Sequence, residues 1–493
     1  MGDGRRRWDT SGLTKVEEYR PGAVRTRFKA GYRDDAEGSH ATRPARVDAK
    51  LASFCYRLSI REKVPASKHS LWCRTRRLPG YCIPTSTMAV DEALQQPLNF
   101  TGHRHLVSRL LLATLTGRPI RISQIRSSST NPGLTRYETN FVRLLDAVTN
   151  GGQVQFSMTG TTLVYRPGLI TGSAEGLGAH GGVIRHEIPR ECARRGVSWW
   201  LIPLCILAPF AKDKVNVILH GEGCVTSSTP AGDISADTVR TAILPLYKSF
   251  AIERNIELRI LKRSCAPPMA KSAGGEVQLV FNHQVRLPKT LHLLNPGRVK
   301  KIRGVAYCVE VPKSNNERMI HEARGILNKF VPDTYIFSDA SPAPLIPTSH
   351  KGHGSGKVKA AVGFGLSLVA ESSTGCIYSA DLSSPPDGGV PADDIGKQCA
   401  YQLLEKISQG GAVDSVAAPT VLMLMAMGSE DVGRVALGKD VLASEDIISL
   451  ARDSKLFGGS GWGFRENGGE EDRGEIVVSV VGRGVGNVGR KVA

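Results

Sequence analysis

Gly411-Ala-Val-Asp-Ser-Val-Ala-Ala-Pro-Thr-Val-Leu-Met-Leu-Met-Ala-Met427 is the stretch from which the chain is read. A Gly-Gly break at 410–411 opens a short polar turn. The apolar run after it, with Pro419 where a helix tolerates proline near its start, predicts a core helix. Upstream, Ile395, Cys399, Leu403 and Ile407 share a helical face that stops at the glycines. Downstream, a charged helix precedes the strand Glu475–Val481.

Similar alternations recur nearer the beginning. Leu106, Val107, Leu110, Leu111 and Thr114 repeat at helical spacing, Gly117 stops that helix, and Ile120–Ile122 starts a strand. Thr135 and Glu138 form a capping box for a helix with Tyr137, Phe141, Leu144, Leu145 and Val148 on one face, ended by Asn150-Gly-Gly152. Two short strands flank Thr159-Gly-Thr161. A second copy of the order is read in the helix carrying Val239, Ala242, Ile243, Leu246 and Phe250, followed by alternating Ile256, Leu258 and Ile260. The third is read around the opening stretch, its helix being Ile395–Ile407. Between second and third lies a different pattern: a strand at Gly304–Val311, a helix with Ile320, Ala323, Ile326, Leu327 and Phe330, and strands at Tyr335–Ser338 and Gly363–Ala370. The fold class is therefore α+β, with repeated two-layer units and a small α/β insertion.

Composition limits the function. With 493 residues, 41% of them hydrophobic, the chain can bury a large core and divide into domains. A formal charge of +18 favours an acidic partner, nucleic acid first. Much of that charge sits in residues 1–87, which hold 19 Lys/Arg against 9 Asp/Glu and show little apolar periodicity, so disorder is expected there. The ten cysteines form neither a Cys-x-x-Cys pair nor a zinc-spaced cluster, and a reducing compartment fits them. The longest apolar run, Trp199 to Phe210, is too short to span a bilayer and contains Pro203 and Pro209.

Several blocks, in order, resemble the RNA 3'-terminal phosphate cyclase family across roughly residues 98–493. They include Leu115-Thr-Gly-Arg-Pro-Ile-Arg-Ile122, Asn131-Pro-Gly-Leu134, Pro203-Leu-Cys-Ile-Leu-Ala-Pro-Phe210, Lys300-Lys-Ile-Arg-Gly-Val-Ala-Tyr307, Gly365–Cys376 and Ser429-Glu-Asp-Val-Gly-Arg434. The resemblance implies a large domain of three repeated βαβαββ-like units with a small inserted α/β domain. The expected boundaries are a basic extension at 1–97, the large domain at 98–282 and 381–493, and the insert at 283–380.

The departures count against the catalytic branch, and an ATP-dependent RNA 3'-terminal phosphate cyclase with a displaced nucleophile is the last of the alternatives. Val416 stands where the family's nucleophilic histidine would attack ATP, and valine has no lone pair for a phosphoramidate. Phe100-Thr-Gly-His-Arg-His105 replaces a glycine-rich phosphate loop, and Ile202 replaces a glutamate in Trp200-Leu-Ile-Pro-Leu204. The resemblance is then to the cyclase-like proteins of ribosome biogenesis. It implies early pre-rRNA processing for the small subunit, in the nucleolus, with pre-rRNA, a ribosome-assembly GTPase and small-subunit processome proteins as partners. Neither cofactor nor metal is expected.

Remaining charged groups are candidates. Arg104, Arg121, Arg126, Arg136 and Arg143 suit phosphate recognition, their alternative being ordinary ion pairing on an exposed face. His103 and His105 read as surface or helix-capping histidines before acid-base groups. Arg452-Asp-Ser-Lys455 matches a family element connected with pre-rRNA cleavage, so the resemblance carries a nuclease role onto Arg452, Asp453 and Lys455. On a helix Arg452 and Lys455 share a face, with Asp453 turned about 100° away, and the alternative is a solvated binding face. Lys351-Gly-His-Gly-Ser-Gly-Lys357 lacks the first glycine and the final Ser/Thr of a phosphate loop, and Gly482-Arg-Gly-Val-Gly486 is read as a terminal loop.

Overall fold

The computed structural model describes residues 96–486, apart from 177–178, 253–254, 270, 283–284, 348–356 and 467–473. The basic arm of 1–87 and most of the Lys351–Lys357 loop lie outside the described residues.

The first part runs β1 (Leu98–Thr101), α1 (Leu106–Thr116), β2 (Ile120–Ser123), α2 (Arg136–Val148), β3 (Gln153–Phe156) and β4 (Leu163–Arg166). Its sheet has the order β1-β2-β4-β3, with β1 parallel to β2 and the other pairs antiparallel. Gly117 ends α1 at φ 73°, a left-handed cap where a side chain would be strained, and its N–H bonds the Ala113 carbonyl. The Thr135–Glu138 capping box is complete in both directions.

Next come β5 (Ile184–Glu187), α3 (Ser198–Leu207), β6 (Val215–His220), α4 (residues 236–250), β7 (Ile256–Lys262) and β8 (Glu276–Phe281). The sheet order is β5-β6-β8-β7, again with one parallel pair first and two antiparallel pairs after it. One departure from a regular pattern is α4: after a single α turn it widens over Val239–Ile243 and tightens to a 3-10 helix over Leu244–Phe250. Pro245 has no N–H for a continuous ladder, which accounts for the change.

After β9 (His292–Leu293) the chain builds a separate sheet from β10 (Val299–Val309), β11 (Thr334–Ser341), β12 (Gly363–Ser372) and β13 (Ile377–Ser383), in the order β11-β10-β12-β13. Two helices belong with it, α5 (Ser314–Leu327) and α6 (Ala392–Ser408). The chain then returns through α7 (Ala418–Met427), β14 (Val432–Gly438), α8 (Glu445–Leu456), β15 (Gly463–Glu466) and β16 (Glu475–Val481). These strands join β9 in the order β9-β14-β16-β15.

The apolar residues separate into two principal cores. Leu110, Phe141, Trp200, Val217, Leu422 and Val435 belong to the larger; Ile302, Met319, Leu327, Leu368, Cys399 and Leu403 belong to the smaller. This moves α6. The sequence assigns its Ile395, Cys399 and Leu403 face to the third repeat, whereas in the structure they pack in the insert's core. Gly396 permits the approach of α5, since a Cβ there would lie 2.5 Å from the Met319 carbonyl oxygen.

Polar contacts join the cores. Asp381 on β13 accepts from the Ser235 N–H at 2.5 Å and from the Thr238 hydroxyl at 2.6 Å. Asp414 accepts from the Ser379 N–H and hydroxyl, both at 2.8 Å, and from the Ala417 N–H at 2.9 Å, fixing the turn that leads into α7. Burial raises the Asp414 pKa while these donors favour its ionised form.

Candidate functional site

α7 is apolar on all sides, and almost all of it is buried. At its start, Ser415, Val416 and Pro419 meet α1 and α3 around a cavity of about 440 Å³, whose apolar wall includes Val107, Leu111, Trp199, Ile202 and Met423. Val416 and Ile202 thus line one space. Trp199 is held edge-on against Tyr137, Phe141 and Trp200, with ring centroids 5.1, 5.6 and 5.0 Å away.

The charged groups that line this cavity, among the described residues, are carboxylates. Among the described residues its lining contains no histidine, lysine or arginine, but it includes Asp233 and Asp446. Asp233 pairs with Arg195 at 2.8 Å and accepts from the Gly196 N–H at 2.8 Å. Burial raises the Asp233 pKa, and Arg195 pulls it back. Ser108, Ser198, Ser415 and Thr420 supply hydroxyls only. Neither Asp233 nor Trp199 is legible from local pattern as a site residue, because each reaches the cavity only through tertiary packing.

Where a phosphate would approach α1, the protein places its own carboxylates. His105 precedes the helix at φ 57° without a side-chain cap. Its ring lies 3.4 Å from Asp446 and 3.9 Å from Glu445, while Arg104 pairs with Glu445 at 2.5 Å. Glu445 and Asp446 also occupy the first turn of α8, where the helix dipole favours negative charge. His103 is exposed and Arg104 has its charge matched.

The three residues considered for RNA cleavage do not converge. Arg452 and Lys455 are exposed on α8, whereas Asp453 turns into the core and accepts from Arg109 Nε at 2.8 Å. The side chains of Arg109 and Asp453 are 14% and 8% exposed. The Arg109 guanidinium also lies 4.5 Å over Phe100, whose ring stacks on Phe457 at 5.8 Å. Asp453 is therefore committed to packing and is not presented beside Arg452 and Lys455, in keeping with the 100° offset read from helix geometry.

The arginines near the Asn-Pro-Gly turn are likewise dispersed. Arg126 forms a forked pair with Glu138, both bonds 2.8 Å, and donates to the Gly133 carbonyl at 3.2 Å. Its hydrogen bond to Glu138 raises its pKa against the effect of burial. This guanidinium braces the turn. Arg121 is exposed on β2, and Arg136 and Arg143 are exposed on α2, where both act on the buried Cys192 thiol.

The family described as RNA 3'-terminal phosphate cyclase matches residues 98–455. The chain belongs to that family. Within the RNA 3'-terminal phosphate cyclase family it is similar to the mouse RNA 3'-terminal phosphate cyclase-like protein, at 41% identity over 73% of this chain and 88% of the relative. The rRNA processing protein rcl1 of Schizosaccharomyces pombe is 36% identical over 80% of this chain and 98% of its own length. The corresponding protein of Saccharomyces cerevisiae is 33% identical over 80% and 97%. No cluster of potential metal ligands occurs among the described residues of this cyclase-family chain, and none of their helices is long and apolar enough to cross a membrane. Gly482–Gly486 follows β16 as irregular chain.

Proposed function

We propose that this chain is an rRNA-processing factor built on a cyclase fold whose nucleotide site no longer performs chemistry. The observation that carries this reading is the apolar cavity lined by both Val416 and Ile202, with acidic groups where a triphosphate would need cations or N–H donors. The similarity to two proteins named for rRNA processing supplies the process. In this reading the three sheets with one common strand order are copies of a βαβαββ-like unit, and the insert extends from β10 through α6 rather than ending at residue 380.

The finer assignment rests on the family resemblance: early processing toward the small-subunit rRNA, in the nucleolus, with pre-rRNA, a ribosome-assembly GTPase and processome proteins. Arg452 and Lys455 serve as contacts on an exposed helix face in this proposal. A nuclease reading would need a carboxylate beside them, and Asp453 points elsewhere.

Depletion of the protein from its own cells, followed by Northern blotting of small-subunit rRNA precursors, tests the assignment. Accumulated precursor that is cleared by the full chain supports it, and unchanged precursor levels overturn it. Incubation with α-labelled ATP tests the lost chemistry separately, because an acid-labile covalent adenylate would contradict the reading of Val416.

A further inference from the structure

One sheet edge meets the open face of the insert sheet, away from the Val416 cavity. β7 is the outer strand of one sheet and β11 the outer strand of the insert sheet. A cavity of about 1120 Å³ lies between β7 and that face, lined from β7 by Ile260, Leu261 and Lys262 and from the insert by Arg303 and Val305 on β10 and Phe337 on β11. A second cavity of about 660 Å³ shares Arg240, Pro245 and Ile260 with the first and continues past Lys248 and Arg259. Together they make one trough.

Its floor is rigid. Arg263, 7% exposed, bonds Asp237 at 2.5 and 3.1 Å and Asp339 on β11 at 2.5 Å. Burial works against its charge, but the two carboxylates outweigh that effect and raise its pKa. Phe337 lines the first cavity and Tyr335 stands beside it on β11: each is 55% exposed, with ring centroids 4.6 Å apart at an interplanar angle of 81°.

We infer that this trough binds single-stranded RNA, with bases stacking on Phe337 and Tyr335 and the backbone following the cations toward Lys248. The inference rests on the rRNA-processing reading and gives it a surface. Basic groups run through both cavities (Arg240, Lys248, Arg259, Lys262, Arg263 and Arg303), opposed along the lining by Glu257, Asp339 and Glu371. Arg259 and Arg303 have exposed carboxylate partners in Glu257 and Asp333, pairs weak enough for a phosphate to redirect, while exposed Lys262 pairs with the half-buried Glu276. Lys248 has no ion pair among the described residues. Aromatic faces beside a basic track suit RNA, since every base has a π face and the backbone supplies the charge.

The full chain is titrated by fluorescence anisotropy with a short oligoadenylate and with an abasic oligomer of equal length, over a range of salt concentrations. Replacing both aromatics, Tyr335→Ala with Phe337→Ala, weakens the oligoadenylate by at least about fivefold and leaves the abasic oligomer unchanged. Lys248→Glu with Arg259→Glu weakens both and lowers the salt slope by roughly 0.7 for each lost phosphate contact. Matched melting curves exclude misfolding. Ultraviolet crosslinks to Tyr335 or Phe337 are expected. RNA bound equally by the parent and both double variants, or crosslinked only within the first 95 residues, overturns the trough as an RNA site and leaves it to a protein segment; RNA binding as such would still stand. Absence of RNA binding by the parent overturns the trough and the RNA-binding part of the proposed function together.

Discussion

Arg109 and Asp453 meet through a 2.8 Å hydrogen bond although 344 residues separate them. The pair joins α1 to α8 and uses the carboxylate of the charged element in α8. Loss of either partner leaves the other charge in a mostly buried place. Asp453→Ala is expected to lower stability by about 3–5 kcal/mol, measured by urea denaturation, and Arg109→Met with Asp453→Leu to recover much of that loss. Arg452→Ala and Lys455→Ala should stay within about 0.5 kcal/mol of the parent. An rRNA-processing defect in Asp453→Ala would therefore report folding first.

A histidine restored at the cavity should not restore chemistry. Val416→His supplies a nucleophile but leaves Ile202, Asp233 and Asp446 around it. With α-labelled ATP, label on the variant is expected to remain at the level of the parent. Accumulation of an acid-labile adenylate would show that the remaining site still binds a triphosphate productively.

His186 makes stability sensitive to mild acid. It is buried on β5, 2.9 Å from the Asn140 side-chain oxygen, and Asn140 also donates to the Glu187 carbonyl at 2.9 Å. Burial, then His220 and Arg143, lower its pKa from 6.5 to about 4. The unfolded state therefore takes the proton first, so this contribution is present above pH 6.5 and is lost as pH falls toward 4. Its size is about 3 kcal/mol over the whole window. Melting temperatures of the parent should fall more steeply across that window than those of His186→Gln.

The turn braced by Arg126 gives a graded test. Thr135→Ala removes one cap of α2 and is expected to cost about 1 kcal/mol. Glu138→Ala removes the other half of the capping box and strips a mostly buried arginine of its partner, so about 2–3 kcal/mol is expected. Equal losses in thermal denaturation would show that Arg126 finds another acceptor.

Local signals carried much of the fold. Thr135 and Glu138, Gly117, and the apolar run ending at Met427 act over one or two helical turns, and the structure realises each. The 100° offset of Asp453 from its charged neighbours was also legible. Its partner Arg109 was not, because no local pattern encodes a contact between α1 and α8. For the same reason α6 was read as a helix but placed on the wrong core: its apolar face fits either one until Gly396 meets Met319. The bent course of α4 could be traced only to Pro245 once its hydrogen bonds were seen. Of the cavity, Val416 and Ile202 were visible as replacements, while Asp233 and Trp199 reach it through tertiary packing.

The bond between Arg109 and Asp453 also sets a schedule. Synthesis runs from α1 toward α8, so at about 5–20 residues per second the first helix exists for roughly 20–70 s before its partner is made. During that interval Phe100 has no Phe457 to stack on, and Arg109 has no carboxylate. The segment of β1 and α1 is therefore among the last to reach its final packing, and a nascent chain stalled before residue 453 leaves that segment open to chaperones.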